Sequence, residues 1–198
     1  MKKLIILIVC FTLLCGCTKI NNDNINDIIN SVVSSDNDRA NQYRNGYKFY
    51  LPNNLSTIKI DDKNNVFKEN DIKYYMFVDI VSYYHKIKNN YKIDKNAYIS
   101  KKLDYNSKTG YLEVKDVKGK YYIEMMFNYA KVEAYVSKYD LVDSISSMAY
   151  VLSSIKYNKN TIETMLGSGK YDLGENETYN IFETKKTTDG NFLDWVNE

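Results

Sequence analysis

The feature that most constrains the fold is a strict two-residue alternation that runs through residues 111–136. Because successive side chains of a β-strand point to opposite faces of a sheet, this period divides the segment into two faces. Turn residues at Lys118-Gly119-Lys120 and in the Asn128-Tyr129 region interrupt the alternation. We therefore predict an antiparallel meander with one covered face, made by Leu112, Val114, Ile123, Met125, Phe127, Val132, Ala134 and Val136.

A helix that directly follows the meander is predicted to cover this apolar face. Ser137 is the expected cap of the helix, and Asp140 lies in its first turn. Apolar residues then recur at helical spacing, at Leu141, Ile145, Met148, Leu152 and Ile155. The predicted fold class is therefore α+β, an antiparallel sheet covered by helices.

Three further strands are predicted before the meander. Residues 47–51 form a strand that ends at Pro52, which has no amide hydrogen to donate. Residues 73–86 are apolar on both alternating faces, which indicates a central strand, and residues 97–105 form the third. Asp79 is out of place in a buried strand, and we expect it to have a structural partner.

The segments on either side of this unit are less regular. Residues 106–110 indicate a turn, residues 160–166 a short helix and residues 178–184 a strand. An apolar tail with Phe192, Leu193, Trp195 and Val196 is expected to pack back onto the domain.

The N-terminus predicts export from the cytoplasm. Lys2 and Lys3 precede an apolar run at residues 4–14, which is shorter than the roughly 18 residues that suggest a spanning helix. At its end, Leu14-Cys15-Gly16-Cys17 resembles the bacterial lipobox. The resemblance implies that Cys17 becomes the first residue of the mature protein and carries a diacylglyceryl group. The alternative is an ordinary secretory signal with chance cysteines.

The cysteine pair does not indicate a metal site. Thiolate sites need further cysteine or histidine ligands, and the chain has three cysteines and one histidine. We predict neither a metal nor a cofactor. Removal of residues 1–16 takes away two lysines and no acid, which brings the formal charge from +2 to zero. A neutral chain lacks the basic surface of a nucleic-acid-binding protein.

Four segments follow from these patterns. Residues 1–16 are a lipoprotein signal peptide, and residues 17–45 are the lipidated cysteine and a polar tether with a short helix. Residues 46–157 are the α+β domain, and residues 158–198 are an extension packed on it. The helix in the tether has an apolar stripe that includes Ile25 and Ile29, and acids on its other side. Because helices on a bilayer usually carry cations there, docking on the domain is favoured.

The domain resembles a known fold family. The opening strand "GYKFYLP", the meander and the closing helix "DSISSMAYVLSSIKYN" are similar to the PsbP-like α/β/α sandwich. The whole chain also resembles a family of uncharacterised lipoproteins of low-GC Gram-positive bacteria. A shared fold does not by itself imply a function.

The polar face of the meander is the candidate binding face. It consists of Tyr111, Glu113, Tyr122, Glu124, Glu133 and Tyr135, and Lys115 and Lys131 share it. Paired carboxylates can perform acid–base chemistry or bind Ca²⁺, but cross-strand charge pairing on a solvated surface explains them with fewer assumptions. The tyrosines favour a protein or a sugar as partner, or they are simply half-buried strand residues.

No catalytic arrangement is evident from the sequence. Every Ser-His-Asp or Cys-His arrangement would need His85, the single histidine, which we expect to be a partly exposed structural residue. Gly167-Ser168-Gly169-Lys170 lacks the spacing of a phosphate loop and indicates a turn.

The predicted function is that of a non-enzymatic lipoprotein anchored by lipid on the extracytoplasmic face of the cell membrane. Its expected partner is another envelope protein. The alternatives are binding of cell-wall glycan or a small solute on the tyrosine and glutamate face, and hydrolysis by the glutamates or His85.

Overall fold

A computed structural model describes residues 22–35, 37, 39–60 and 63–167 of the chain. The signal peptide, Cys17, the strand at residues 178–184 and the apolar tail lie outside these residues. The helices are α1 (Asn22–Ser34), α2 (Ile80–His85), α3 (Leu141–Ser153) and α4 (Lys159–Gly167). The strands are β1 (Gln42–Arg44), β2 (Tyr47–Phe49), β3 (Ser56–Ile60), β4 (Asn64–Glu69), β5 (Ile72–Val78), β6 (Ile99–Tyr105), β7 (Lys108–Val117), β8 (Lys120–Phe127), β9 (Ala130–Val136) and β10 (Lys156–Tyr157).

The main sheet has seven antiparallel strands in the order β3-β4-β5-β9-β8-β7-β6. The predicted meander is confirmed as β7, β8 and β9. Both of its turns have positive φ at their two central residues, Lys118-Gly119 and Asn128-Tyr129. These dihedrals are typical of the two-residue turns whose twist matches that of paired strands.

The apolar face of the meander is covered by helices, as predicted. Helix α3 packs on β8 and β9, and α1 lies beside α3 and contacts β6. Leu112, Ile123, Met125 and Ile145 are completely buried. Among the described residues, no helix is both long enough and apolar enough to cross a membrane.

The hydrophobic core extends beyond residues 46–157 in both directions. Ile25 and Ile29 of α1 are buried in it, which confirms that this helix docks on the domain. On the other side, Ile162 and Met165 of α4 belong to the same core. The short helix predicted at residues 160–166 is therefore confirmed as part of the folded unit.

A small second sheet joins β1, β2 and β10 and corrects two predictions. Gln42–Arg44 is a strand and not part of a solvated tether, because it pairs with β2. Arg44 Nε also donates to Asn65 Oδ1 on β4 at 2.8 Å. The first strand ends at Phe49, before Pro52 is reached. The amide of Tyr50 instead donates to Ser154 Oγ, at 2.9 Å, next to α3.

The central strand predicted at residues 73–86 is wrong in its second half. Strand β5 ends at Val78, and α2 starts directly after Asp79. The Asp79 carboxylate accepts a hydrogen bond from the Ser82 amide at 2.8 Å, which caps the new helix. Asp79 therefore has the structural role expected of it, and the capping geometry explains why the chain turns into a helix here.

Replacing Asp79 with alanine should destabilise the fold by about 1 kcal/mol, because the helix loses its capping hydrogen bond. Asp79→Ser should retain most of the stability, since a hydroxyl oxygen can accept the same bond. Urea unfolding followed by circular dichroism checks both variants. Equal stability of Asp79→Ala and the wild type would contradict the capping role.

Three other differences have local causes. Helix α3 starts at Leu141, because Ser137 Oγ accepts from the amides of Tyr139 and Asp140 and forms a turn before the helix. The turn at 106–110 is shorter than predicted and consists of Asn106-Ser107, so Gly110 lies inside β7. Strands β3 and β4 were not predicted from the sequence.

Candidate functional site

The six predicted face residues lie together on the side of the meander opposite α1 and α3. Glu113, Glu124 and Glu133 are direct cross-strand neighbours, one on each of β7, β8 and β9. Tyr122 is paired with Tyr135, and their rings are 4.9 Å apart. Alternation and register together therefore bring three carboxylates into one row, which we call the glutamate row.

Glu124 is at the centre of the row and is contacted by Tyr111, Tyr122 and Lys131. Like charges directly opposite one another in a sheet are destabilising, so the row needs compensating groups. The Tyr111 hydroxyl donates a hydrogen bond to Glu124, and the Tyr122 hydroxyl donates a second one at 3.1 Å. Lys131 Nζ lies 4.0 Å from Glu124 and 2.7 Å from Glu133, so one cation serves two carboxylates.

Glu113, at the end of the row, is held by residues from two other segments. Lys115 Nζ lies 2.6 Å from its carboxylate. The Tyr91 hydroxyl donates to Glu113 and lies 2.7 Å from Ser100 Oγ on β6. Tyr91 belongs to the connection between α2 and β6, residues 86–98, which crosses this face of the sheet.

The expectation of a solvated surface is wrong for this face. Glu133 is only 1% exposed and Tyr111 only 8%. One cause is the 86–98 connection, because the Tyr91 ring stacks parallel on Tyr111 with centroids 4.1 Å apart. Asn89 also donates to the Met126 sulfur on β8. The glutamate row is therefore a partly covered polar cluster and not an open charged surface.

Burial determines the protonation behaviour of the cluster. It raises the pKa of Glu133, and the nearby Glu124 charge raises that pKa further, while Lys131 opposes both effects. Burial also raises the pKa of Tyr111 and of Tyr122, with the glutamate charges adding to the effect. The pKa of Tyr91 rises to about 12, mainly through burial. The tyrosines thus remain hydrogen-bond donors at physiological pH.

This arrangement is suited to binding groups that donate hydrogen bonds. Carboxylates accept from hydroxyl, ammonium and guanidinium groups, and tyrosine rings offer flat apolar contacts. The residues that sequence reasoning missed are Tyr91, Asn89 and Ser100. Ser100 could have been found by extending the pairing, since it lies opposite Glu113. Tyr91 carries no periodic signal, because its connection has no regular structure.

The other candidate residues lie elsewhere. His85 is the last residue of α2, is exposed, and has its ring against that of Tyr84. Gly167 ends α4, and the rest of the Gly-Ser-Gly-Lys sequence lies outside the described residues. Within the part of the chain that the structure describes, no group of three His, Cys, Asp or Glu side chains could hold a metal ion.

A concave feature lies between α1 and the start of β6. It is an open groove of about 540 Å³, lined by Asn26, Tyr98, Ile99, Ser100 and Lys101. Lys101 Nζ donates to Asn30 Oδ1 of α1 at 3.0 Å, so the groove is bounded by a direct contact between helix and strand.

No protein-family model matches this chain, and no curated protein matches it. The interpretation of the glutamate row therefore depends on its geometry and chemistry.

Proposed function

We propose that the chain is a lipoprotein anchored through Cys17 on the extracytoplasmic face of the membrane, where it acts as a non-catalytic binding module. Its contact surface is the tyrosine and glutamate face of the sheet, and its partner is another envelope protein. The lipobox-like Leu14-Cys15-Gly16-Cys17 supports the anchor. The glutamate row supports the contact surface.

The alignment of Glu113, Glu124 and Glu133 is the observation that carries this proposal. Three carboxylates side by side repel one another and so oppose folding. They do not contribute to the hydrophobic core, which lies on the other face of the sheet. Residues that oppose folding are typical of functional sites, where a protein departs from its most stable sequence. Lysine or arginine side chains of a partner would pair with Glu113 and Glu124, whose side chains are 14% and 16% exposed.

Binding of cell-wall glycan or a small solute is the second candidate. It is favoured by the tilted pair of Tyr122 and Tyr135, whose rings lie 4.9 Å apart next to the carboxylates. Sugars present apolar ring faces and hydroxyl donors, which fit aromatic rings beside carboxylates. Glycan binding that Tyr122→Ala abolishes would support this candidate over the first.

We also propose that the fold is a PsbP-like α/β/α sandwich. We likewise propose that the chain belongs to the family of uncharacterised lipoproteins of low-GC Gram-positive bacteria that it resembles. An antiparallel meander closed by a helix such as α3 supports the fold assignment. The function proposed above does not depend on either proposal.

A photoreactive residue at Lys102 should capture one specific protein in intact membranes. Lys102 is exposed and is paired with Tyr111 at the margin of the face, so the probe does not disturb the glutamate row. Mass spectrometry of the adduct identifies the partner. The matched control places the same probe at Asp143, which is exposed on α3 at the opposite side of the sheet.

Three outcomes separate the candidates. A protein adduct that forms with the probe at Lys102 but not with the probe at Asp143 supports the protein partner, provided that Glu124→Gln weakens it. A glycan adduct would move the assignment to the second candidate. The same adducts at both positions, or none, would reject the face as the contact surface.

A further inference from the structure

Three chain segments meet at one end of the main sheet. The pairs Ile99 with Val114, Val117 with Lys120, and Tyr121 with Val136 place the start of β6, the β7–β8 turn and the end of β9 together. The Tyr98 ring lies 4.9 Å from that of Tyr121, which joins the first segment to the other two. The turns at Asn106-Ser107 and Asn128-Tyr129 lie at the opposite end.

This end of the sheet exposes large apolar side chains among lysines. Tyr139 is 88% exposed, Tyr98 40% and Val117 38%. We call it the basal rim, and it consists of Tyr98, Val117, Lys118, Lys120, Lys138 and Tyr139. Exposed aromatic and aliphatic groups interspersed with lysines are typical of surfaces that contact the interface of a bilayer.

The acids near the rim are engaged locally. Asp116 accepts a hydrogen bond from the Gly119 amide at 3.1 Å, within the β7–β8 turn. Asp140 receives the Ser137 hydroxyl at the turn before α3. The hydrogen bonds do not remove the charge of either acid, but the three exposed lysines outnumber the two acids of these turns. This excess of positive charge favours a negatively charged surface as the partner.

Helix α1, which follows the proposed lipid anchor in the chain, contacts the start of β6 near this end. Asn26 of α1 lies with Tyr98 in the groove at the start of β6. The helix begins one turn earlier, at Asn22, which is about 6 Å away along the helix axis. Only five peptide bonds separate Cys17 from Asn22, so a fully extended chain spans at most about 18 Å between them. A bilayer holding Cys17 is therefore within short reach of the rim.

We infer that the basal rim rests on anionic phospholipid headgroups, with Tyr98, Val117 and Tyr139 at the interface and the three lysines against the lipid charge. This inference depends on the proposed anchoring at Cys17. It differs from a helix lying on the bilayer, because the contact is made by one end of the sheet. The strands then stand on the membrane, and the glutamate row faces sideways toward neighbouring envelope proteins.

The test uses the purified lipidated chain in phosphatidylcholine vesicles, with or without phosphatidylglycerol. A fluorophore is attached at Tyr139→Cys in the rim or, as the matched control, at Asp104→Cys near the opposite end. A nitroxide on the lipid headgroups quenches a nearby label. Because the ten residues of β7 separate the two ends by about 33 Å, we expect several-fold stronger quenching at residue 139 than at residue 104. The difference in quenching between residues 139 and 104 should be smaller in the variants Lys118→Glu and Lys138→Glu. It should also be smaller in vesicles without phosphatidylglycerol.

Other results would overturn the inference. It would be contradicted by equal quenching at both positions or by stronger quenching at residue 104. It would also be contradicted if quenching at residue 139 were the same with and without phosphatidylglycerol. Co-sedimentation with vesicles is measured separately, with Cys17→Ser as the control that should remain in the supernatant. Failure of the wild type to sediment would reject the anchor and the rim contact together, whereas sedimentation without selective quenching rejects the rim alone. Circular dichroism checks that each variant is folded.

Discussion

Gly110→Ala should lose about 3 kcal/mol or more of the free energy of unfolding, which is a large effect for the addition of one methyl group. Gly110 lies within β7 opposite Phe127. A Cβ added there would be 1.9 Å from the Met126 carbonyl oxygen and 2.8 Å from Phe127 Cα. Both contacts are with backbone atoms, which cannot rotate away, so β7 and β8 would have to separate. Urea unfolding followed by circular dichroism measures the loss.

Two other glycines serve as controls for this prediction. A Cβ at Gly167 meets nothing within 4 Å, so Gly167→Ala should change stability very little. Gly119 is also in open space but has φ of +83°, so Gly119→Ala should cost about 1 kcal/mol through backbone strain alone. If Gly110→Ala were as stable as Gly167→Ala, the close approach of β7 and β8 would be refuted.

The parts of the fold that were predictable are those specified by a local period. The alternation in residues 111–136 yields the meander because each strand has one face in the core, and a shift of one residue would expose Leu112 and Ile123. The helical spacing from Leu141 to Leu152 yields α3 for the same reason. The apolar stripe of α1 indicated docking because Ile25 and Ile29 needed a surface to cover them.

The remaining elements depend on single hydrogen bonds and on tertiary contacts. Residues 73–86 have apolar residues on both alternating faces, and the bond from the Ser82 amide to Asp79 marks where the strand gives way to a helix. Strand β1 consists of polar residues and is held by β2 and by the Arg44 contact with Asn65. Neither interaction leaves a periodic trace in the sequence.

The candidate site was likewise predictable in one respect and not in another. Register and alternation suffice to place Glu113, Glu124 and Glu133 in one row. Their burial could not be predicted, because it is partly due to Tyr91 reaching across the face from the 86–98 connection. This is why a face expected to be solvated is in fact a partly covered polar cluster.

Lys131→Met should destabilise the protein by about 3 to 5 kcal/mol at neutral pH, because the variant leaves a buried carboxylate without its cation. The side chains of Lys131, Glu133 and Glu124 are 15%, 2% and 16% exposed. Removing Lys131 leaves Glu133 buried beside the charge of Glu124. Lys115→Met is the matched control, since Lys115 pairs with Glu113 but is 46% exposed. A surface ion pair of this kind should contribute less than about 1 kcal/mol.

The loss in Lys131→Met should also depend on pH, with a definite sign. Burial already holds the pKa of Glu133 above its ordinary value of 4.5 in the folded protein, and removing Lys131 raises that pKa further. Between the unfolded and folded pKa values the folded state binds more protons, so stability falls as the pH rises through this window. Below 4.5 the carboxyl is protonated in both states, and the difference between Lys131→Met and the wild type should shrink. Adding Glu133→Gln to Lys131→Met should remove most of the pH dependence. A loss that stayed constant from acid to neutral pH would mean that Lys131 stabilises the sheet through packing, and not through the charge of the glutamate row.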